Sequence, residues 1–135
     1  MTIRIKGLDH VVIRTANLES MLAFYNDVLG CTLEHGSKER GLYQLRAGAA
    51  LIDLIDVEAE LGKQGGPAPE SNGHNMDHYC VTLEEWDEAD IRAIFDRYNV
   101  EAAETKWRNG AAGKTPSIFI RDADGNRVEL KGPVN

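Results

Sequence analysis

Leu8-Asp9-His10-Val11-Val12-Ile13-Arg14-Thr15 returns, 68 positions on, as Met76-Asp77-His78-Tyr79-Cys80-Val81-Thr82-Leu83. Both runs are rich in β-branched or aromatic residues, both are entered by an Asp-His pair, and both precede a helix-like segment. Each repeat also closes on a strand with one carboxylate among aliphatics, Leu51-Ile52-Asp53-Leu54-Ile55 and Arg127-Val128-Glu129-Leu130. A period of this kind is weighed before any single element. Asp53 and Glu129 are 76 positions apart, and the excess over the histidine spacing falls in loops, which absorb insertions.

Working outward, residues 8–14 read as a strand whose alternation puts His10 with Leu8, Val12 and Arg14 and turns Val11 and Ile13 the other way. Asn17 then stands as an N-cap, and Leu18, Met21, Leu22, Tyr25, Val28 and Leu29 recur at helical spacing up to Gly30, a C-cap glycine. Residues 31–35, 42–46 and 50–55 read as three strands, so the first half is β-α-β-β-β. The second half repeats that order. A strand at 76–82 leads to a helix at 84–98 ended by Asn99, then to strands near 102–106, 117–121 and 126–131. Asp122-Ala123-Asp124-Gly125-Asn126 marks the last hairpin turn. The expected fold class is α+β, one domain over 1–135, with modules at about 5–57 and 76–132. The Gly- and Pro-bearing stretch 58–75 connects them, either as plain linkage or as a flap. Two such curved sheets facing one another would enclose a cleft for a metal.

Composition narrows the partners. With 42% hydrophobic and 27% charged residues the chain has the makeup of a globular domain. A net charge of −7 argues against nucleic acid or an anionic membrane as the main partner. No apolar run is long enough to span a bilayer. Met1 to Lys6 lack the apolar core of a signal peptide, and Cys31 and Cys80 read as reduced thiols, so the expected location is the cytoplasm.

The chemistry lies in the register. A strand histidine alone is usually a satisfied core or surface residue, and a strand acid can simply face water. An ionised carboxylate among aliphatics is costly without a partner, however, and here both residue types recur in step. His10, His78, Asp53 and Glu129 therefore read as ligands converging on one divalent ion, with Zn²⁺, Ni²⁺, Fe²⁺ and Mn²⁺ all suited to imidazole and carboxylate. His74, in the connector, reads as a flap or substrate contact; His35 has no repeat partner. Strand parity turns Asp9 and Asp77 to the opposite face, as capping or edge residues.

LDHVVIRTANLESMLAFYNDVLGCTL (8–33), MDHYCVTL (76–83) and SIFIRDADGNRVEL (117–130) together resemble the vicinal-oxygen-chelate superfamily. That superfamily includes glyoxalase I, fosfomycin-resistance thiol transferases, extradiol dioxygenases and bleomycin-binding proteins. The resemblance spans residues 5–132, with Ala123 where the family usually has proline. It implies that His10, His78 and Glu129 are metal ligands. Asp53 matches an additional glutamate of glyoxalase I but is one methylene shorter, so it is either a fourth ligand or an acid beside the metal. Arg14 matches an arginine that binds a glutathione carboxylate, whereas Val57 replaces a glutathione-binding asparagine. The implied activity is a glyoxalase-like lyase acting on a small oxygen-chelating substrate, such as a glutathione hemithioacetal, with Glu129 and Asp53 as proton carriers. The alternatives are a thiol transferase of the fosfomycin type, a related enzyme of another substrate, and a small-molecule sequestering protein. The resemblance also implies a homodimer.

Overall fold

The computed structural model describes residues 4–134. The chain divides into two compact units between residues 70 and 71. In the first, β1 (His10–Thr15) leads to α1 (Leu18–Ala23), then β2 (Thr32–Ser37), β3 (Leu42–Ala47), β4 (Ala50–Asp56) and a short α2 (Glu60–Lys63). The strands form one sheet in the order β1-β4-β3-β2, with β1 parallel to β4 and the remaining pairs antiparallel. The second unit repeats the scheme with β5 (Tyr79–Thr82), α3 (Glu88–Arg97), β6 (Lys106–Gly110), β7 (Gly113–Arg121) and β8 (Arg127–Lys131), in the order β5-β8-β7-β6. The expected pair of β-α-β-β-β modules and the α+β class are present.

Each sheet has an apolar and a polar face, as a period-2 pattern dictates. In the first unit Ile13, Leu45, Ile52 and Leu54 are buried, together with Met21 of α1 and Phe24 and Tyr25 beyond it. Burying each such side chain contributes about 1.5–3 kcal/mol. Ile118, Ile120, Val128, Leu130 and Phe95 of α3 form the equivalent core in the second. The opposite faces carry His10, Val12 and Arg14 beside Asp53, and Cys80 beside Glu129.

Several local expectations are corrected. The helix expected from Leu18 to Leu29 is α-helical only to Ala23 and continues as a wider π-type turn over Phe24–Val28 before Gly30 reverses the chain at φ 68°. Asn17 occupies the N-cap position without a side-chain capping bond; its backbone N–H donates instead to Thr15 Oγ at 2.8 Å. The strand expected at 102–106 lies at Lys106–Gly110, and Ala102 makes only an isolated bridge to Ile120. The β6–β7 hairpin turning after Gly110 was not expected. Asn99, at φ 55°, does end α3, and Asp122 does organise the last hairpin by accepting from the N–H groups of Asp124 and Asn126. The connector holds α2, which has no sustained sequence period behind it.

Candidate functional site

The two histidines stand just where their strands begin, and each is held by the aspartate before it. His10 Nδ1 lies 2.6 Å from Asp9 Oδ1, and His78 Nδ1 lies 2.6 Å from Asp77 Oδ2. A carboxylate can only accept, so Nδ1 carries the proton and Nε2 of the neutral ring is left with its lone pair. This is the arrangement that orients metal-binding histidines elsewhere. The repeated aspartates therefore grip the imidazoles, and Asp77 alone also pairs beside the sheet edge, with Arg127. The Asp9 hydrogen bond raises the His10 pKa above the ordinary imidazole value, partial desolvation opposes it, and the charges of Asp53 and Asp9 add to the rise. Its bond to His78 holds the Asp77 carboxyl below the usual range, helped by Arg127 at 2.8 Å.

In the second unit Glu129 is 7% exposed and well supported. Its Oε1 accepts from Ser117 Oγ at 2.7 Å, and Ser117 Oγ in turn accepts from Arg108 at 2.9 Å. Glu129 Oε2 lies 3.2 Å from His78 Nε2. With Nδ1–H committed to Asp77, this contact sets two lone pairs face to face, which is stable only with a proton or a cation between them. Two ligands bonded at about 2.0 Å to one tetrahedral ion stand about 3.3 Å apart. The Phe119 ring meets His78 edge-on, with centroids 4.9 Å apart. Cys80 pairs in register with Glu129; partial desolvation first, and then the charge and hydrogen bonding of Glu129, push its thiol up to about 11.

In the first unit the matching acid is Asp53, 2% exposed and on the same side of the sheet as His10. Its Oδ2 accepts from Gln44 Nε2 at 3.1 Å, while Oδ1 is buried with no partner among the described residues. An orphaned carboxylate oxygen of this kind is what an absent cation would satisfy. The chemistry of the donors thus fits a divalent ion: imidazole Nε2 and carboxylate oxygen in each unit. Each unit holds one such pair of its own, and no group of three or more His, Cys, Asp or Glu side chains is clustered for one ion among the described residues.

Arg14 and His74 are placed differently from these candidate ligands. The Arg14 guanidinium donates to the carbonyls of Gly62, Gly66 and Pro67, so it holds the connector. His74 Nε2–H donates to the Ser71 carbonyl, 3.1 Å away, and the residue lines a cavity in the second unit with Arg121 and Arg127. Sequence reading missed the supporting residues Asp9, Asp77, Ser117 and Gln44. The doubled Asp before each His was the available signal for the first two.

A family model described as the Glyoxalase/Bleomycin resistance protein/Dioxygenase superfamily matches residues 7–130. A virulence protein of Salmonella typhimurium is 28% identical over 127 residues, 93% of this chain and 83% of that protein. Its crystal structure superposes with a TM-score of 0.75 over 98% of this chain and 100% of the other, at 26% identity. A protein from the mobile metagenome of Vibrio pseudocholerae reaches 0.78 at 26% identity, covering 100% of both chains. A lactoylglutathione lyase from Agrobacterium tumefaciens shares the fold at 0.69 and 20% identity, over 96% of this chain and 95% of that one. The chain belongs to the Glyoxalase/Bleomycin resistance protein/Dioxygenase superfamily.

Proposed function

We propose that the chain is a metal-dependent, glyoxalase-like enzyme acting on a small substrate that offers two neighbouring oxygens. The observation that carries this reading is the pair of lone-pair donors, His78 Nε2 and Glu129 Oε2, held 3.2 Å apart by Asp77 and Ser117. His10, His78 and Glu129 are the ligand set, with Asp53 as a fourth donor, for Zn²⁺, Ni²⁺, Fe²⁺ or Mn²⁺. A bound ion supplies Lewis acidity toward the substrate oxygens. Asp9 and Asp77 keep both imidazoles in the tautomer that exposes Nε2. Glu129 would carry a proton between neighbouring carbons at Oε2, since Oε1 is anchored by Ser117, and for that part of the cycle Oε2 would serve as base and not as ligand. Asp53, with one oxygen tied to Gln44 and one without a partner, is the second candidate for proton transfer.

The substrate need not be a glutathione adduct. Arg14 is engaged by connector carbonyls, and Val57 is a core residue at 8% exposure. A thiol transfer of the fosfomycin-resistance type would use the same ligands and is the second reading. Assembly as a homodimer accompanies either reading and is checked by sedimentation. Metal analysis of purified protein, followed by calorimetric titration of wild type and His78→Ala, tests the centre. Equal metal affinity in the two proteins removes the proposal. An ultraviolet assay with methylglyoxal and glutathione then separates glyoxalase chemistry from the other reactions.

A further inference from the structure

The polar face of the second sheet is cationic in a chain whose net charge is −7. Strand parity sets Arg108, Arg121, Arg127 and Lys131 on the side that carries Glu129. Two of them are direct cross-strand neighbours: Arg121 on β7 is opposite Arg127 on β8. Like charges in that relation repel, so stability alone does not favour the pair. Asp77 takes one Arg127 nitrogen and also grips His78, while Asp122 is turned inward onto the hairpin amides and the Asn126 side chain. Arg121 gives Nη1 to the neutral Gly125 carbonyl.

These arginines border a cavity of about 350 Å³, whose lining also includes His74, Asn75, Asn126 and Ser71. The volume is at the lower end of that typical for small-ligand sites. Its lining offers planar guanidinium forks, amide donors and one imidazole, the groups that recognise an oxyanion. The one lining carboxylate, Asp77, is paired with Arg127 and leaves Arg121 as the guanidinium facing no lining acid among the described residues. The cavity abuts the candidate metal ligands chemically, because Asp77 is shared between Arg127 and His78.

We propose that this cavity, through Arg121 and Arg127, binds the anionic group of a small organic acid, so that the substrate is a carboxylate or a phosphate-type anion. As a substrate assignment it rests on the proposed enzyme function; as an anion site it does not need the metal. Arg127 also lies over the Phe119 ring, 4.4 Å from its centroid, which limits the paths the guanidinium can take and prepares it for a ligand.

The test uses the full chain stripped of metal with a chelator and titrated at low salt, separately with inorganic phosphate and with acetate, by amide NMR. At least one anion is expected to shift the amides of residues 121–127 saturably, and the anion that binds names the class. Arg121→Gln is expected to weaken that binding about tenfold or more, as the loss of a charge-assisted contact does. Arg121→Lys retains part of it, and exposed Lys38→Gln leaves it unchanged. Absence of saturable shifts with both anions overturns the proposal, as does binding that survives Arg121→Gln in a folded variant. Because no metal is present, loss of the metal-centre reading leaves this result standing, and the reverse holds too.

Discussion

Asp53→Asn is the substitution that separates a residue kept for stability from one kept for a ligand. The Asp53 side chain is 2% exposed, with Oδ2 bonded to Gln44 and Oδ1 unpartnered. An unsatisfied buried polar atom costs about 1–3 kcal/mol, and more when it is charged. Asparagine keeps an acceptor for Gln44 and exchanges a buried charge for a neutral amide whose Nδ2 takes the unpartnered place, a gain of about 1–2 kcal/mol for the metal-free variant. For a domain of this length about 1 kcal/mol moves the melting temperature by roughly 3–5 °C. The metal-free variant should therefore melt about 3–10 °C higher than wild type. Added metal should reverse the order. A ligand that binds only the folded state stabilises by about 2.7 kcal/mol at one hundred times its Kd, and each tenfold loss of affinity removes about 1.4 kcal/mol of that. Circular-dichroism melts after chelation, and again with Zn²⁺, Ni²⁺ or Mn²⁺, read both halves. A metal-free variant that melts at or below wild type, with an undiminished metal-induced shift, refutes the reasoning.

Asp9→Ala, at an exposed position, should leave the melting temperature of the metal-free protein nearly unchanged and lower metal affinity about 10–100-fold, measured by calorimetry; unaltered affinity would detach Asp9 from the site. The Cys80 thiol, pushed up to about 11, should be alkylated by iodoacetamide at pH 8 at least about tenfold more slowly than a free cysteine, in a Cys31→Ser background. Glu129→Gln should speed the reaction, and an ordinary rate in the parent would contradict the assigned environment. Acid stability follows from Glu34, lowered by its Arg46 partner, and Glu88, lowered first by Thr105 and then by Arg92. Depressed carboxylates contribute stability that is complete above their unfolded values, about 4.3, and is lost as pH falls through the lower folded values. Melting temperature should thus hold from pH 7 to 5 and fall below about 4, less steeply in Glu34→Gln; identical acid profiles for the two proteins would count against the pair.

The modules were legible because their signals are local and doubled. Alternation from His10 to Arg14 sorted the faces of β1 correctly, and Gly30 and Asn99 marked both helix ends. β6 was misplaced because its Lys-Trp-Arg-Asn-Gly sequence has no apolar alternation; its position is set by pairing with β7, a contact beyond any local window. The widened turn at Phe24–Val28 likewise left no trace in the helical spacing. The grip of Asp9 and Asp77 on the rings was missed for a sharper reason. Strand parity constrains side chains only within a strand, and β1 and β5 begin at His10 and Tyr79, so the preceding aspartates are free to fold back onto the rings. The orphaned Asp53 oxygen and the Arg121–Arg127 register depend on three-dimensional neighbours and could not be read from spacing.

The hold of Arg14 on the connector sets what that segment is allowed to become. Its guanidinium recognises three backbone carbonyls, those of Gly62, Gly66 and Pro67, and no connector side chain. Most connector side chains can therefore drift among descendants of this sequence without loosening the segment. Glycine positions are the exceptions: a Cβ on Gly62 would come within 1.9 Å of the Asp56 carbonyl, one on Gly65 would meet the Arg14 guanidinium at 2.3 Å and push it aside, and Gly66 and Gly73 hold positive φ. The connector is thus permissive in sequence and strict in outline, and Gly62, where an added side chain meets backbone, is where a library of variants should lose folded protein first.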